Sequence, residues 1–353
     1  PSAQALNDKA LEMELLNRLG NGHSRLGPME SAFGYYQQAI VLSRALNDKW
    51  QEASTLTNLG GLYQETGNMQ QALDALAAAV ALYREIGDQA ATTVPLINLA
   101  GVWNALGEAG KALLIGEEGL KLAKESGAAD YEFFALQTLS DTHHMLGNNR
   151  KALEYRQAAL ALARARNNKS GEASALSRLA LDNQRLNDLL KALEYGQQAI
   201  ALHRATGDRL ELMYALHELC RAYHKLSDYS SAVTACRESL ELARLRGDRV
   251  SEARSLVELA RIAAHNGEMK QARDCAEEGV KLVETAGSEF VNREARASFI
   301  GVNYQAYESY IGILMKQHRD NSSAALDRQA LQMAERAHAR VLLTSLAEAR
   351  VGI

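Results

Sequence analysis

Proline and cysteine are scarce in this chain: three of each in 353 residues, with aromatic side chains at 6%. So few prolines leave long stretches with every backbone N–H available for a helix. The cysteines (Cys220, Cys236 and Cys275) have no CxxC spacing, which excludes ribbon-type zinc sites. No apolar run reaches the ~20 residues a bilayer demands, and no secretory signal is visible, so the chain reads as cytoplasmic. The net charge of −4 argues against general nucleic-acid binding. A Gly-rich phosphate loop, HExxH and a nucleophile elbow are all missing, so no catalytic residue, metal site or cofactor is expected.

What is present is repetition. Leu16, Leu56, Leu96, Leu136, Leu176, Leu216 and Leu256 stand 40 residues apart, and a second leucine column runs from Leu19 to Leu259. A third column is alanine, Ala32 to Ala272, and a fourth is leucine, Leu42 to Leu282. One unit has been copied in tandem. In residues 50–89, Leu56, Leu59, Gly60 and Tyr63 form one stripe of period 3.6, and Ala72, Leu73, Leu76, Ala79, Val80 and Tyr83 form a second. Breaks separate them. The inner break falls at Gly27, Gly67, Gly107, Gly147, Asn187, Ser227 and Gly267; the outer one falls at Asn47, Gly87, Gly127, Asn167, Gly207, Gly247 and Gly287. Each copy is therefore a helix–turn–helix hairpin. Position eight of each first helix is small (Gly20, Gly60, Ala100, Ser140, Ala180, Cys220, Ala260), which lets helices approach to about 8–10 Å. Pro28 suits the opening of a second helix and Pro95 the first turn of a first helix. The cysteines share columns with small or polar residues, so they read as packing residues in a reducing compartment.

Leu59-Gly60, Tyr63, Ala72 and Ala79 together resemble the tetratricopeptide repeat, with 40 residues in place of the commoner 34. The resemblance implies an all-α, right-handed superhelical solenoid, with seven units over 10–289. Residues 1–9 match the tail of the first full repeat (Ala5–Lys9 against Ala45–Lys49) and read as the end of a truncated upstream unit. Residues 290–353 break the period and read as a capping helix pair, helical over 290–316 and 323–348 with a polar turn at 318–322. Phe290, Phe299, Tyr304, Tyr307 and Tyr310 concentrate there and suggest a patch for self-association. Arg296–Phe299, Tyr307, Tyr310–Ile311, Ile313–Met315 and Ala334–Leu343 resemble the last helices before the caspase-like CHAT domain of bacterial proteins. That implies a regulatory role beside a protease domain that this chain does not contain.

In the resembled family the first helices line the concave side. The residues opposite their buried stripe are small or amide-bearing in early copies: Asn17, Asn21, Gln64 and Asn104. They turn basic in late ones: Arg178, Arg185, His217, Arg221, His224, Lys225, Arg254, Arg261 and His265. Amides suit a peptide backbone and cations suit carboxylates. The expected partner is a protein or peptide whose acidic part lies over repeats five to seven, although Glu218 and Glu258 dilute the charge. A nucleic-acid-associated array is the rival from another class. The acidic pairs Glu117-Glu118 and Glu277-Glu278 read as solvated faces with weak pairs along their own helices.

Overall fold

The computed structural model describes residues 8–26, 29–288, 303–322 and 325–337. These residues are helical apart from short turns. The chain divides into two compact units, 1–171 and 172–353. The first holds α1 (Lys9–Leu26), α2 (Met29–Ala45), α3 (Lys49–Glu65), α4 (Met69–Glu85), α5 (Gln89–Ala105), α6 (Ala109–Glu125), α7 (Ala129–Met145) and α8 (Asn149–Ala165). The boundary falls in the first turn of α9 (Lys169–Arg185). The second unit continues with α10 (Leu189–Thr206), α11 (Arg209–Lys225), α12 (Tyr229–Arg246), α13 (Arg249–His265), α14 (Met269–Ser288) and α15 (Gln305–Asp320), followed by a helix over 325–337.

The breaks read from the sequence are real turns. From Asn47 to Gly267 a residue in the left-handed region recurs every 20 positions. Eight of these are glycine; Asn47, Asn167, Asn187 and Ser227 adopt the same conformation with φ between 52° and 61°. At each turn the chain closes the preceding helix, as where Asn68 N–H donates to Tyr63 O at 2.8 Å. Aspartates then start the next helix: Asp48, Asp88, Asp208, Asp228 and Asp248 each accept the backbone N–H three residues on, at 2.9–3.1 Å.

Two expectations fail here. Gly287 is no turn, because α14 runs through it to Ser288. Pro95 lies deep in α5, beyond the first turn, because Asp88 already caps that helix. Gly27 and Pro28 lie outside the described residues.

The leucine columns form the core of both units. Leu96, Leu136, Leu176, Leu216 and Leu256 are at most 4% exposed. Position eight faces the residue sixteen later on the second helix. A Cβ at Gly20 would stand 2.5 Å from the Tyr36 ring, and one at Gly60 2.6 Å from Leu76 Cγ. Small residues on one helix thus admit large ones from the other. Cys220 and Cys236 hold this same pair of positions and form a disulfide, while Cys275 is free. The reading of Cys220 and Cys236 as unlinked packing residues is overturned, and with it the argument for a reducing compartment. Among the described residues no helix is long and apolar enough to cross a membrane.

In the second unit α15 packs on α13 and α14. Tyr307, Tyr310, Ile313 and Leu314 are buried with Val257, Val280 and Val283. These tyrosines are core, not an exposed patch, which removes their part in self-association. Phe290, Phe299 and the stretches 296–299 and 338–350 lie outside the described residues. The polar turn is shorter than expected, since His318, Arg319 and Asp320 close α15.

Candidate functional site

Three of the four amides of the first unit are already engaged. Asn17 Oδ1 accepts from Asn58 Nδ2 at 3.1 Å, and Asn21 Oδ1 accepts the Tyr36 hydroxyl at 2.7 Å. The Gln64 amide lies against Gly101. Asn104 Nδ2 donates to Thr142 Oγ1 at 2.9 Å, and its Oδ1 is buried without a partner. Three first helices repeat one tie: Asn104 to Thr138 O at 3.4 Å, Gln184 to Glu218 O at 3.0 Å and His224 to Glu258 at 3.2 Å, each 34 residues apart. Side chains read as free to grip a ligand hold neighbouring first helices together instead. The reason is proximity, because the next hairpin brings its first helix alongside within hydrogen-bond reach.

The basic residues of the second unit converge on one carboxylate. Glu258 is 6% exposed and accepts from Arg261 at 2.9 Å and His224 at 3.2 Å, with Arg221 Nε at 4.0 Å. Burial pushes its pKa up, but the His224 hydrogen bond and the Arg261 charge outweigh this and hold it below the ordinary value. Arg221 also grips Glu218 at 3.0 Å, and Arg185 pairs with Asp182 at 3.8 Å. His265 stacks on Tyr229 and meets the His224 ring edge-on. The two glutamates that seemed to dilute the patch are its organising centres.

Lys225 and Arg254 are exposed and form no ion pair among the described residues. Arg254, Arg221 and His217 line a cavity of about 250 Å³ between α11, α13 and α14, closed by Asn303 and Gln305. The His217 Nδ1 is buried there without a partner. Burial is the main cause that pushes its imidazole below the ordinary pKa, so the ring is neutral at pH 7. Arg178 sits on the rim of a second cavity, described below. Among the described residues no three His, Cys, Asp or Glu side chains converge as metal ligands.

Two features escaped the sequence reading. Arg156 is 2% exposed inside the fourth hairpin and donates to Asp141 at 2.6 Å. Its place in the column of Tyr36 and Leu76 was the available signal. The acidic pairs divide: Glu277 pairs with Lys281 along its own helix at 2.8 Å, as expected, whereas Glu118 pairs with Arg84 at 2.5 Å and Glu278 with Arg244 at 2.9 Å, across neighbouring second helices.

A tetratricopeptide repeat family model matches residues 11–85 and 51–125. The fold is a tetratricopeptide-repeat solenoid. A model of anaphase-promoting complex subunit 5 matches 122–185 and 180–253. No curated protein sequence matches the chain. Among solved structures, the STAND ATPase with a tetratricopeptide repeat sensor from Pyrococcus horikoshii is 14% identical with a TM-score of 0.72. The match covers 95% of this chain and 49% of that one. A Rap protein complexed with competence and sporulation factor is 13% identical with a TM-score of 0.60, over 95% of this chain and 99% of that one. The Cut9–Hcn1 assembly of the anaphase-promoting complex gives 16% and 0.55, over 79% and 49%. At these identities the likeness is one of fold.

Proposed function

We propose that this array is a protein-interaction module that holds an extended protein segment along its first helices, with acidic side chains of the segment over the second unit. The observation that carries this is the cationic group built around Glu258. Arg221, Lys225, Arg254 and Arg261 bring four positive charges against the two of Glu218 and Glu258, and two of those cations are unpaired among the described residues. Unpaired cations beside a fixed cluster of ion pairs are available to carboxylates of a partner. The Rap protein bound to competence and sporulation factor and the Cut9–Hcn1 assembly support the reading, since both solenoids are solved with a partner. The resemblance to the region before a CHAT domain, together with the STAND ATPase's repeat sensor, extends it to a sensing role whose output lies in another domain.

The test must spare Glu258. Reversing Arg221 and Arg261 would strand a buried carboxylate and confound binding with folding. Lys225→Glu with Arg254→Glu avoids this. Fluorescence anisotropy with a labelled Glu-rich peptide should show affinity reduced at least about tenfold, with unchanged helicity by circular dichroism. Equal affinity rejects the acidic-ligand reading. A steep salt dependence with DNA and none with the peptide would favour the nucleic-acid rival.

A further inference from the structure

In most hairpins the small residue at position eight is covered. Tyr36 fills the first copy, Leu76 the second, Arg156 the fourth and the disulfide the sixth. The fifth has Ala180 facing Gly196, with the nearest outside atom, Leu219 Cδ1, 3.1 Å from where a Gly196 Cβ would stand. The third copy has a similar pair, Ala100 and Gly116, but Leu139 presses closer there, to 2.9 Å. Three residues earlier on the first helix, the third copy has Ile97 and the seventh Val257, both buried, while the fifth has Ser177. These absences leave a cavity of about 210 Å³ between α9, α10 and α11, floored by Ala180, Gly196 and Ala215 and rimmed by Arg178 and Tyr214.

We propose that this cavity is an anchor site for one large aliphatic side chain of the acidic segment described above; the proposal rests on that reading for the segment, but not for the cavity's own affinity. Size decides the class of occupant. An apolar void of ~150 Å³ holds benzene, whereas sites for whole small molecules run from roughly 300 to 1,000 Å³. A leucine or methionine side chain, no larger than benzene, fits the 210 Å³ here with its backbone left outside, and a whole small molecule does not. Position decides the source. Glu218 on α11 lines both this cavity and the one holding His217 and Arg254, so the two are consecutive stations along one row of helices. Successive packed helices are about 8–10 Å apart, and an extended chain advances ~3.3 Å per residue. The segment carries its aliphatic residue about three positions from a carboxylate.

Ser177 controls the site. Its hydroxyl lies 3.0 Å from His203 Nε2. Ser177→Ile fills the notch with a residue its column accepts, and Ser177→Ala loses the same hydrogen bond while keeping the notch. Two labelled peptides, one with leucine three residues from a glutamate run and one with alanine there, are compared by anisotropy. The leucine peptide should bind wild type and Ser177→Ala about tenfold more tightly than the alanine peptide, and the preference should vanish in Ser177→Ile. Separately, uncharged N-acetyl-leucine amide is titrated against protein labelled at alanine methyls. Ala180, Ala215 and Ala222 signals should shift in wild type and Ser177→Ala only. Absence of shifts, or a leucine preference that survives Ser177→Ile, overturns the anchor. Loss of the alanine peptide's binding in the Lys225→Glu/Arg254→Glu protein bears on the charged patch alone, so the two readings fail separately.

Discussion

At the scale of single residues, the columns identify what each position must do, and exceptions mark local conflict. Pro95 is the clearest. It sits within α5, buried, where its ring removes the N–H that the Ala91 carbonyl needs. The same position is Ala135, Ala175 and Ala215 in later copies. Pro95→Ala should stabilise the first unit by about 1–3 kcal/mol, read as a higher urea midpoint at unchanged slope. No gain would mean that the buried ring already offsets the missing hydrogen bond. Ser227 shows the opposite tolerance: the 20-residue rhythm of turns holds it at φ 61°, a conformation that glycine takes in eight of the other turns. Spacing makes both conflicts visible in the sequence, but only the helix boundary shows that Pro95 lies inside its helix.

At the scale of the element, most hairpins are closed by their facing pair, and the sixth closes it covalently. The Cys220–Cys236 link spans 16 residues. Thiol titration in denaturant without reductant should find one reactive cysteine per chain, Cys275; three would refute the link. Replacing both partners by alanine copies the seventh hairpin, where Ala260 and Ala276 face each other. This variant should fold yet lose about 3 kcal/mol, since a crosslink of this span restricts the unfolded chain by about that much. Second helices are joined outside by Arg84–Glu118, Arg204–Glu238 and Arg244–Glu278, each 34 residues apart. These exposed pairs set register more than stability, at no more than ~1 kcal/mol each. Repeat spacing predicted the hairpins. It could not say which polar side chains would meet across them, because that depends on how far each neighbour is displaced.

At the scale of the molecule, the buried imidazoles couple folding to pH. His143, His203 and His217 all have pKa values held below 6.5, with burial the first cause in each. An unfolded chain protonates them near 6.5, while the folded chain resists until lower pH. The unfolded state therefore binds more protons in that window, and stability falls as pH drops below about 6.5. Glu258 is depressed too, and its contribution is lost only below its ordinary value of 4.5. Urea midpoints should fall between pH 6.5 and 5, and His203→Gln with His217→Gln should flatten the slope. An unchanged slope would assign it elsewhere.

The sequence alone determined the hairpin, its length and the identity of its core, because a 40-residue period constrains every copy to bury the same columns. It also placed the polar residues on the first helices. Tertiary structure decided what those residues do. Stacking brings a side chain within reach of another on the next hairpin, so Asn17 and Asn104 tie first helices together, and Arg221, His224 and Arg261 gather around Glu258. Stacking also turned three unremarkable small residues, Ser177, Ala180 and Gly196, into a cavity. A void is a property of what the neighbours fail to fill, and no single position in the chain encodes it.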